Sequence, residues 1–183
     1  MDIRNFYCIF AVFKALAGNT LMIHIRKSTK NDINEIMTCY EVARRYMRRN
    51  GNFSQWVGGY PSRTLIETDI SNGVSYVGTC DHRVVMTFAL IPGEDPTYAQ
   101  IYDGCWLNSG PYATIHRLAS NGTVGGMLRE CIAFCRGRHA NLRLDTHADN
   151  IKMQRGVEVL GFVRCGVILC QDGTPRIAYQ YAR

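Results

Sequence analysis

Residues 115–135 constrain the fold most, because they are predicted to form a strand, a short glycine-bearing loop and a helix in direct succession. Backbone N–H groups in the first turn of a helix lack intrahelical acceptors and lie at the positive end of the helix dipole, so they can bind phosphate. Three glycines crowd this helix start, at Gly122, Gly125 and Gly126. Their spacing matches neither the P-loop nor the GxGxxG pattern. On these residues alone, an ordinary capping turn with glycines for helix packing is the alternative to a phosphate site.

The composition is that of a single globular domain with its own core. The chain has 183 residues, of which 46% are hydrophobic and 20% are charged, and this excludes an intrinsically disordered tail. The sequence contains no apolar run of about 18 residues, so no segment is expected to cross a membrane as a helix. The formal net charge of +6 suits an anionic ligand such as a nucleotide phosphate, but it is lower than in dedicated nucleic-acid-binding proteins.

Hydrophobic periodicity and turn residues divide the chain into strands and helices. From Met22 we predict strands over 22–28, 73–79, 83–91, 112–119, 141–146, 163–170 and 176–181. The predicted helices cover 62–70, 123–138 and 150–160, together with a first helix that ends near 49. That first helix follows a capping box of Thr29 and Asp32. The glycine-rich residues 123–128 form the first turn of the third helix in this prediction. The order β-α-α-β-β-β-α-β-α-β-β indicates an α/β (α+β) domain.

The first 21 residues differ from the rest of the chain. A basic start, an apolar run over 6–13 and an Ala-x-Ala sequence at 15–17 resemble a weak signal peptide, but Lys14 interrupts the pattern. Regular patterning begins at Met22. We therefore expect residues 1–21 to be an N-terminal extension, arising from an upstream start or forming a docked helix. Residues 22–183 are expected to be the functional domain of a cytoplasmic protein.

The eight cysteines are not spaced as in a metal site. There is no CxxC pair, and zinc would need paired thiolates or histidines at ligand spacing. Cys131 and Cys135 are four residues apart, which places them on one helix face with Leu128 and Ile132. We expect the cysteines to be reduced, buried apolar residues rather than disulfides or ligands, and we predict no metal.

Several stretches together resemble the GNAT superfamily of acyl-CoA-dependent N-acetyltransferases over about residues 22–181. The element order agrees, and the strongest local similarities lie in residues 115–120, 122–128, 142–147, 149–154, 161–166 and 176–180. The chain looks most like uncharacterised bacterial members of general acetyltransferase type. The resemblance implies a mixed, mostly antiparallel sheet of about seven strands flanked by about four helices. It also implies a parallel strand pair that splays apart, here 112–119 and 141–146.

The resemblance implies acetyl-CoA as co-substrate, with its pantetheine arm between the splayed strands and its pyrophosphate on the start of the following helix. Carried over to this chain, the binding residues are Leu118 and Ser120 through their backbone groups, Asn150 near the pantetheine, and Gly122, Thr123, Val124, Gly125 and Gly126 around the pyrophosphate. The family's phosphate loop is contracted here. If Gly125 is the last glycine of the family's motif, Ser120 replaces its basic or amide residue and Thr123 replaces its first glycine.

The tyrosine that many family members use to protonate the leaving thiolate falls on Val157, which cannot donate a proton. This loss matters little, because a thiol with a pKa of about 8.5 leaves readily, whereas a lysine-like amine with a pKa of about 10.4 must first lose a proton. The resemblance and the chemistry of imidazole make His116 the first candidate for the base, since the family's base commonly lies on this strand. Asp145 and His147 come second. A hydrogen-bonded structural role is the alternative for each residue.

The acceptor site in this family lies under the loop between the first two helices. Phe53, Trp56 and Tyr60 are candidates for the walls of an amine pocket there, and packing in the core or a lid is the alternative. Asp103 and Asp145 are candidates to attract a cationic amine.

The leading prediction is an enzyme that transfers acetyl from acetyl-CoA to a primary amine of a small molecule or peptide, by direct attack in a ternary complex. A non-catalytic acyl-CoA-binding or sensor module on the same fold is the alternative, motivated by the contracted loop and the missing tyrosine. A third class, a nucleic-acid-binding protein, would use the arginine cluster at 44–49, but a solvated helix end that matches the helix dipole is the preferred interpretation of that cluster. We expect neither a nucleic-acid nor a membrane partner, and a homodimer is compatible with the sequence.

Overall fold

A computed structural model describes residues 22–183, and the prediction for residues 1–21 lies outside that range. The described chain forms a seven-stranded mixed sheet. Its strands are β1 (His24–Lys27), β2 (Ser75–Cys80), β3 (Arg83–Pro92), β4 (Ala113–Ser120), β5 (Asn141–Thr146), β6 (Val163–Leu169) and β7 (Pro175–Ala182). Their order in the sheet is β1-β2-β3-β4-β5-β7-β6, and each neighbouring pair is antiparallel except β4 and β5.

Four α-helices connect the strands within residues 22–183. They are α1 (Ile33–Arg49), α2 (Arg63–Ser71), α3 (Met127–Arg136) and α4 (Ile151–Val159). The order of strands and helices confirms the sequence prediction, including the mixed, mostly antiparallel sheet. None of these helices is both long and apolar enough to span a bilayer.

The connection from β1 into α1 confirms the predicted capping box. Oδ2 of Asp32 accepts from the backbone N–H of Thr29 at 2.7 Å and from its hydroxyl at 2.9 Å. Arg26 donates to both carboxylate oxygens of Asp32, at 2.7 and 2.8 Å. The hydrogen bond from Arg26 is the largest influence on the pKa of Asp32, which falls to about 2. This carboxylate therefore joins the end of β1 to the start of α1.

The helices pack on opposite faces of the sheet. Adjacent strand residues point to opposite faces, so Val84 contributes to the cluster under α1 and α2 while Val85 contributes to the cluster under α3. The connection between β3 and β4 packs Tyr98 in a third cluster with Ile168 and Ala178.

The parallel pair β4 and β5 separates after two residue pairs. Pairing is limited to Ala113 with Leu142 and Thr114 with Arg143, which confirms the predicted splayed strands. Beyond that point the register between β3 and β4 shifts, and Arg117 has a φ of +56°. This β-bulge redirects the side chains that follow it and places the remainder of β4 beside an opening in the sheet.

The glycine-rich residues before α3 form a loop and not the first turn of the helix, so that part of the prediction is wrong. The helix begins at Met127, and Gly126 is its N-cap with a φ of +82°. Gly122 also has a positive φ, of +78°. These left-handed conformations are incompatible with an α-helix, and glycine adopts them at the lowest cost.

Burial of the cysteines agrees with the prediction at most of the described positions. Cys39, Cys80, Cys131, Cys135 and Cys165 are buried, and all seven cysteines of residues 22–183 are free. Cys170 is half-buried. Cys105 is exposed, so the interpretation as core filler is wrong for that residue.

Candidate active site

A hydrogen-bonded pair of His116 and Asp95 lies just beyond the point where β4 separates from β5. Nε2 of His116 is 2.7 Å from Oδ2 of Asp95, and each side chain is 18% exposed. Thr97 donates to the other carboxylate oxygen through its backbone N–H at 2.9 Å and its hydroxyl at 2.6 Å. Burial raises the pKa of Asp95, but the hydrogen bonds from His116 and Thr97 outweigh it and hold that pKa well below its usual range. An ionised carboxylate can only accept, so Nε2 of His116 donates to it, and Nδ1 has no hydrogen-bond partner within residues 22–183.

Tyr98 lies between His116 and Asp145. Its ring centroid is 5.9 Å from that of His116, and its hydroxyl donates to Oδ1 of Asp145 at 2.7 Å. Burial and the carboxylate of Asp145 raise the pKa of Tyr98 well above its ordinary value, so the hydroxyl stays protonated. The structure therefore brings His116 and Asp145 into one polar cluster. Tyr98, which the sequence did not single out, donates to one carboxylate oxygen of Asp145.

His147 and Asp103 are not part of this cluster. Nδ1 of His147 is 3.3 Å from a carboxylate oxygen of Asp149, and Asp103 is exposed with a φ of +54°. Among residues 22–183, no group of three His, Cys, Asp or Glu side chains is arranged to hold a metal ion.

Asn121 fixes the loop between β4 and α3. Its backbone N–H donates to the carbonyl of Val85 at 3.1 Å, and its side-chain amide donates to the carbonyl of Val84 at 3.0 Å. Its Oδ1 accepts from the backbone N–H of Thr123 at 3.1 Å and from the hydroxyl at 2.7 Å. The loop is thereby tied to β3.

The remaining backbone of this loop is free to bind a ligand. Within the described chain, the N–H groups of Gly122 and of residues 124–128 have no hydrogen-bond acceptor, whereas that of Thr123 is taken by Asn121. A Cβ added to Gly125 or Gly126 would meet no atom within 4 Å. Gly125 and Gly126 therefore border open space in the segment whose free donors lie at the positive end of the α3 dipole.

Asn150 caps α4 and also contacts the loop between α1 and α2. Its Oδ1 accepts from the backbone N–H of Met153 at 3.4 Å, and its Nδ2 donates to Oε1 of Gln55 at 3.3 Å. Asn52 donates to the same oxygen of Gln55 at 2.7 Å. Further along α4, Val157 is fully buried in the core, so that position presents no proton donor.

The three aromatic residues of the loop between α1 and α2 do not form a single wall. Trp56 packs edge-to-face on buried Tyr40, with centroids 5.6 Å apart, and its ring lies 6.5 Å from that of Tyr60. Phe53 is 66% exposed and forms no aromatic pair with another described residue. Trp56 is thus largely a packing residue, while Tyr60 is 41% exposed and lies at its edge.

Arg117 forms a buried ion pair that the sequence analysis missed. Its Nη2 donates to Oδ2 of Asp69 at 2.7 Å, and the two side chains are only 9% and 8% exposed. Burial is the largest influence on the pKa of Asp69 and raises it, although Arg117 opposes the shift. The pair links α2 to the β4 bulge next to His116. One signal in the sequence could have indicated this pair. Asp69 follows Ile66 by three residues and therefore lies on the same, buried face of α2.

Neither a protein-family model nor a curated protein matches the sequence. The fold is similar to a GNAT-family acetyltransferase from Streptococcus agalactiae, with 34% identity and a TM-score of 0.81 over 88% of this chain and 95% of that one. It is also similar to GNAT-family acetyltransferases from Bacillus cereus, with 14% identity and a TM-score of 0.61 over 88% and 98% of the two chains, and from Listeria monocytogenes, with 17% identity and a TM-score of 0.64 over 88% and 95%. Because the Streptococcus agalactiae protein shares a third of its residues over nearly the full length of both chains, this chain belongs to the GNAT family of acetyltransferases.

Proposed function

We propose that this protein transfers the acetyl group of acetyl-CoA to a primary amine of a small-molecule or peptide acceptor, by direct attack in a ternary complex. The observation that carries the proposal is His116, held by Asp95 at 2.7 Å beside the opening between β4 and β5. An acid–base group, a cleft between strands and a donor-lined loop occur together on consecutive parts of the chain.

The residues present fit acetyl-CoA. The free N–H groups of Gly122 and residues 124–128 supply several donors for the two phosphates of the pyrophosphate, without a lysine or a metal. Leu118 and Ser120 follow the bulge along the splayed part of β4, where their backbone groups would bind the pantetheine arm. Thr123 contributes through the shape of the loop, since its N–H and hydroxyl both bond Asn121. Asn150 lies at the start of α4, where it would border the same arm.

His116 is proposed to accept the proton of the attacking amine. Asp95 keeps the proton of the neutral ring on Nε2, and Nδ1 has no hydrogen-bond partner within residues 22–183. An ionised carboxylate also stabilises the imidazolium that forms when Nδ1 takes up a proton. Asp145 would act less directly, as a negative charge that favours a cationic acceptor, because its Oδ1 already accepts from Tyr98.

Bound acetyl-CoA supplies a thioester carbonyl that an unprotonated amine can attack, with a thiol as the leaving group. The reaction does not need a proton donor at Val157, because a thiol with a pKa of about 8.5 can leave as the thiolate. The loop between α1 and α2 would border the acceptor, with Tyr60 and Phe53 as exposed aromatic surfaces and Trp56 as their support.

Val157 supports one alternative, a non-catalytic acyl-CoA-binding module, because a buried, apolar side chain stands where the resemblance places the family's tyrosine. That module would use the same loop of free N–H groups. The two functions differ in whether thiol is released.

We further propose that residues 22–183 form the catalytic domain and that the protein works in the cytoplasm. Seven free cysteines, five of them buried, suit a reducing compartment. The proposed acetylation also needs no second chain, since residues from one chain form both the loop and the His116 cluster.

The deciding experiment measures thiol release from acetyl-CoA by the full chain with a panel of primary amines, together with the thermal shift caused by acetyl-CoA. Release that depends on the amine and saturates in both substrates supports the enzyme. A thermal shift without release from any amine supports the binding module. The absence of both contradicts the proposal.

A further inference from the structure

A cavity of about 730 Å³ opens next to the candidate active site. It lies between the long connection from β3 to β4, which supplies all but one of its lining residues, and Arg143 on β5. Three aromatic rings and three charged groups line it: Tyr98, Trp106, Tyr112, Glu94, Asp95 and Arg143. Its volume is in the range of small-molecule sites, and aromatic walls with few polar groups are typical of such sites.

Arg143 is a buried cation with no carboxylate partner among residues 22–183. The residue is 4% exposed, and its guanidinium carbon lies 3.9 Å from the ring centroids of both Trp106 and Tyr112. Nη2 donates to the carbonyl of Asn108 at 3.0 Å, whereas Nε has no partner within residues 22–183. No carboxylate oxygen of the described chain lies within 4.0 Å of this guanidinium. Two rings cover its faces, so its edge is the part left for an anion.

The two carboxylates of the cavity do not neutralise Arg143. Asp95 is committed on both oxygens, to His116 on one and to Thr97 on the other. Glu94 is exposed, where water screens its charge. A ligand that enters the cavity therefore meets a buried cation with no carboxylate of the described chain within 4.0 Å, while the anionic Asp95 keeps both oxygens in hydrogen bonds to His116 and Thr97.

The cavity and the proposed base lie on either side of Tyr98. The ring of Tyr98 is stacked 5.4 Å from Trp106, beside Arg143, and is 5.9 Å from His116. Asp95 lines the cavity and bonds His116 at the same time. Asp95 thus joins the wall of the cavity to the proposed base, and a molecule that reaches both Arg143 and His116 must be elongated enough to pass Tyr98.

We propose that the acceptor is an elongated amine that carries a carboxylate at the end remote from the amine, and that Arg143 binds this carboxylate. The proposal rests on the proposed acetyl transfer at His116. It narrows the acceptor from primary amines in general to ω-amino acids and to molecules that present the same two groups. Glu94 at the rim would disfavour acceptors whose anionic group stays outside the cavity.

The test compares each ω-amino acid from aminobutyric to aminooctanoic acid with the alkylamine of the same length. With wild-type protein, we expect kcat/KM to favour the amino acid by roughly tenfold or more at the best length, since one charge-assisted contact is worth about that factor. Arg143→Gln should bring the ratio close to one, and Arg143→Lys should restore part of it. Arg164→Gln removes an exposed guanidinium on β6 and should leave the ratio unchanged.

Calorimetry with the amino acids alone, on the wild-type, Arg143→Gln and Arg143→Lys proteins, separates this inference from the proposed function. Thiol release without amino-acid preference at any length, and without binding that depends on Arg143, overturns the carboxylate site and leaves acetyl transfer standing. Binding that depends on Arg143, without thiol release from any amine, supports the carboxylate site and contradicts acetyl transfer. If Arg143→Gln fails to fold, the preference of the wild-type protein and the Arg143→Lys ratio decide the matter.

Discussion

Oδ2 of Asp95 lies 2.7 Å from Nε2 of His116, so a residue of the connection before β4 determines which nitrogen of a β4 histidine can take up a proton. This geometry suits the role of general base that is proposed for His116. It joins two parts of the site that are 21 residues apart in the chain.

The first prediction concerns this pair. His116→Ala should lower the acetylation rate at neutral pH by roughly 100-fold or more, because the amine then keeps its proton, and should spare the rate at high pH, where the amine deprotonates unaided. Asp95→Asn should cause a smaller loss, on the order of tenfold, because an amide can present either N–H or oxygen and no longer fixes the tautomer. The pH profile of kcat/KM measures both.

Asp149→Asn is the matched control for the His116–Asp95 pair, because it removes the exposed carboxylate beside His147. Its profile should follow that of the wild-type protein. An unchanged profile in His116→Ala, or a loss confined to Asp149→Asn, would remove His116 as the base and favour His147.

The second prediction concerns the loop before α3. Gly125→Val adds a side chain where the nearest atoms are more than 4 Å away, at a φ outside the left-handed region, so stability should change little. The side chain would occupy the space in front of the free N–H groups. We expect acetyl-CoA affinity to fall roughly 10- to 100-fold, the value of about one charge-assisted hydrogen bond.

Gly173→Val is the control for Gly125→Val, because it should lower stability without lowering acetyl-CoA affinity. Gly173 has a φ of +76° in the turn between β6 and β7, so valine there should cost about 1 to 2 kcal/mol in the free energy of unfolding and leave affinity unchanged. Calorimetric titration with acetyl-CoA and urea unfolding measure the two quantities. Equal affinities for wild-type protein and Gly125→Val would place the pyrophosphate elsewhere.

The third prediction is a pH dependence of stability. The pKa of Asp32 is about 2 in the folded protein and about 3.9 in an unfolded chain, so its contribution is complete above the unfolded pKa and is lost as the pH falls through about 2. Because its partner Arg26 is 38% exposed, we discount the shift for solvent screening and expect Asp32→Asn to cost about 1 to 2 kcal/mol at pH 6. Near pH 2 that difference should be largely gone.

Chemical denaturation at a series of pH values tests the effect of Asp32. Glu41→Gln is the control, since that exposed carboxylate has no hydrogen bond or salt bridge with another described side chain. A cost of Asp32→Asn that is the same at pH 6 and pH 2 would contradict the role of the ionised form.

The order of the strands and helices was predictable because local periodicity and turn residues act over a few neighbouring positions. The start of α3 was not, because the positive φ values of Gly122 and Gly126 depend on how Asn121 ties the loop to β3. The hydrophobic pattern alone cannot separate a glycine-rich first turn from a glycine-rich loop.

The candidate site was predictable only in part. His116 follows from its place on β4, but its partner Asp95 lies in a cluster of turn residues with no periodic pattern. Tyr98 and Arg143 become informative only when the connection between β3 and β4 folds over β5. Tyr98 and Asp145, for example, are hydrogen-bonded across 47 positions of the chain. Pairings at such separations leave no local trace in a single sequence.

The fourth prediction concerns thiol reactivity. Cys105 is exposed, whereas burial raises the pKa of the Cys39 thiol to about 12 and raises that of Cys131 well above its ordinary value. In a Cys8→Ser background, a disulfide reagent at pH 8 should modify one thiol rapidly, and Cys105→Ser should abolish that phase. Half-buried Cys170 should react more slowly, and the remaining thiols should react only after denaturant has unfolded the protein. Rapid modification of a second thiol in the native protein would contradict the described burial.

The last prediction concerns the ion pair between Asp69 and Arg117, which supports the bulge in β4. Asp69→Asn leaves the guanidinium buried without its partner, at 9% exposure, and breaking such a pair typically costs about 3 to 5 kcal/mol. Because Arg117 lies between His116 and Leu118, the loss should also move the backbone that borders the opening between β4 and β5. We therefore expect both a lower free energy of unfolding and weaker acetyl-CoA binding.

Asp32→Asn is the comparison for Asp69→Asn, since it also removes the carboxylate of an arginine pair but lies at the start of α1, away from the opening. It should reduce stability without reducing affinity. The double variant Asp69→Leu and Arg117→Met should recover much of the stability, because no charge is then left buried, yet its affinity should stay low if the pair positions the bulge. Full affinity in Asp69→Asn at temperatures where the protein is folded would show that the bulge keeps its shape without the pair.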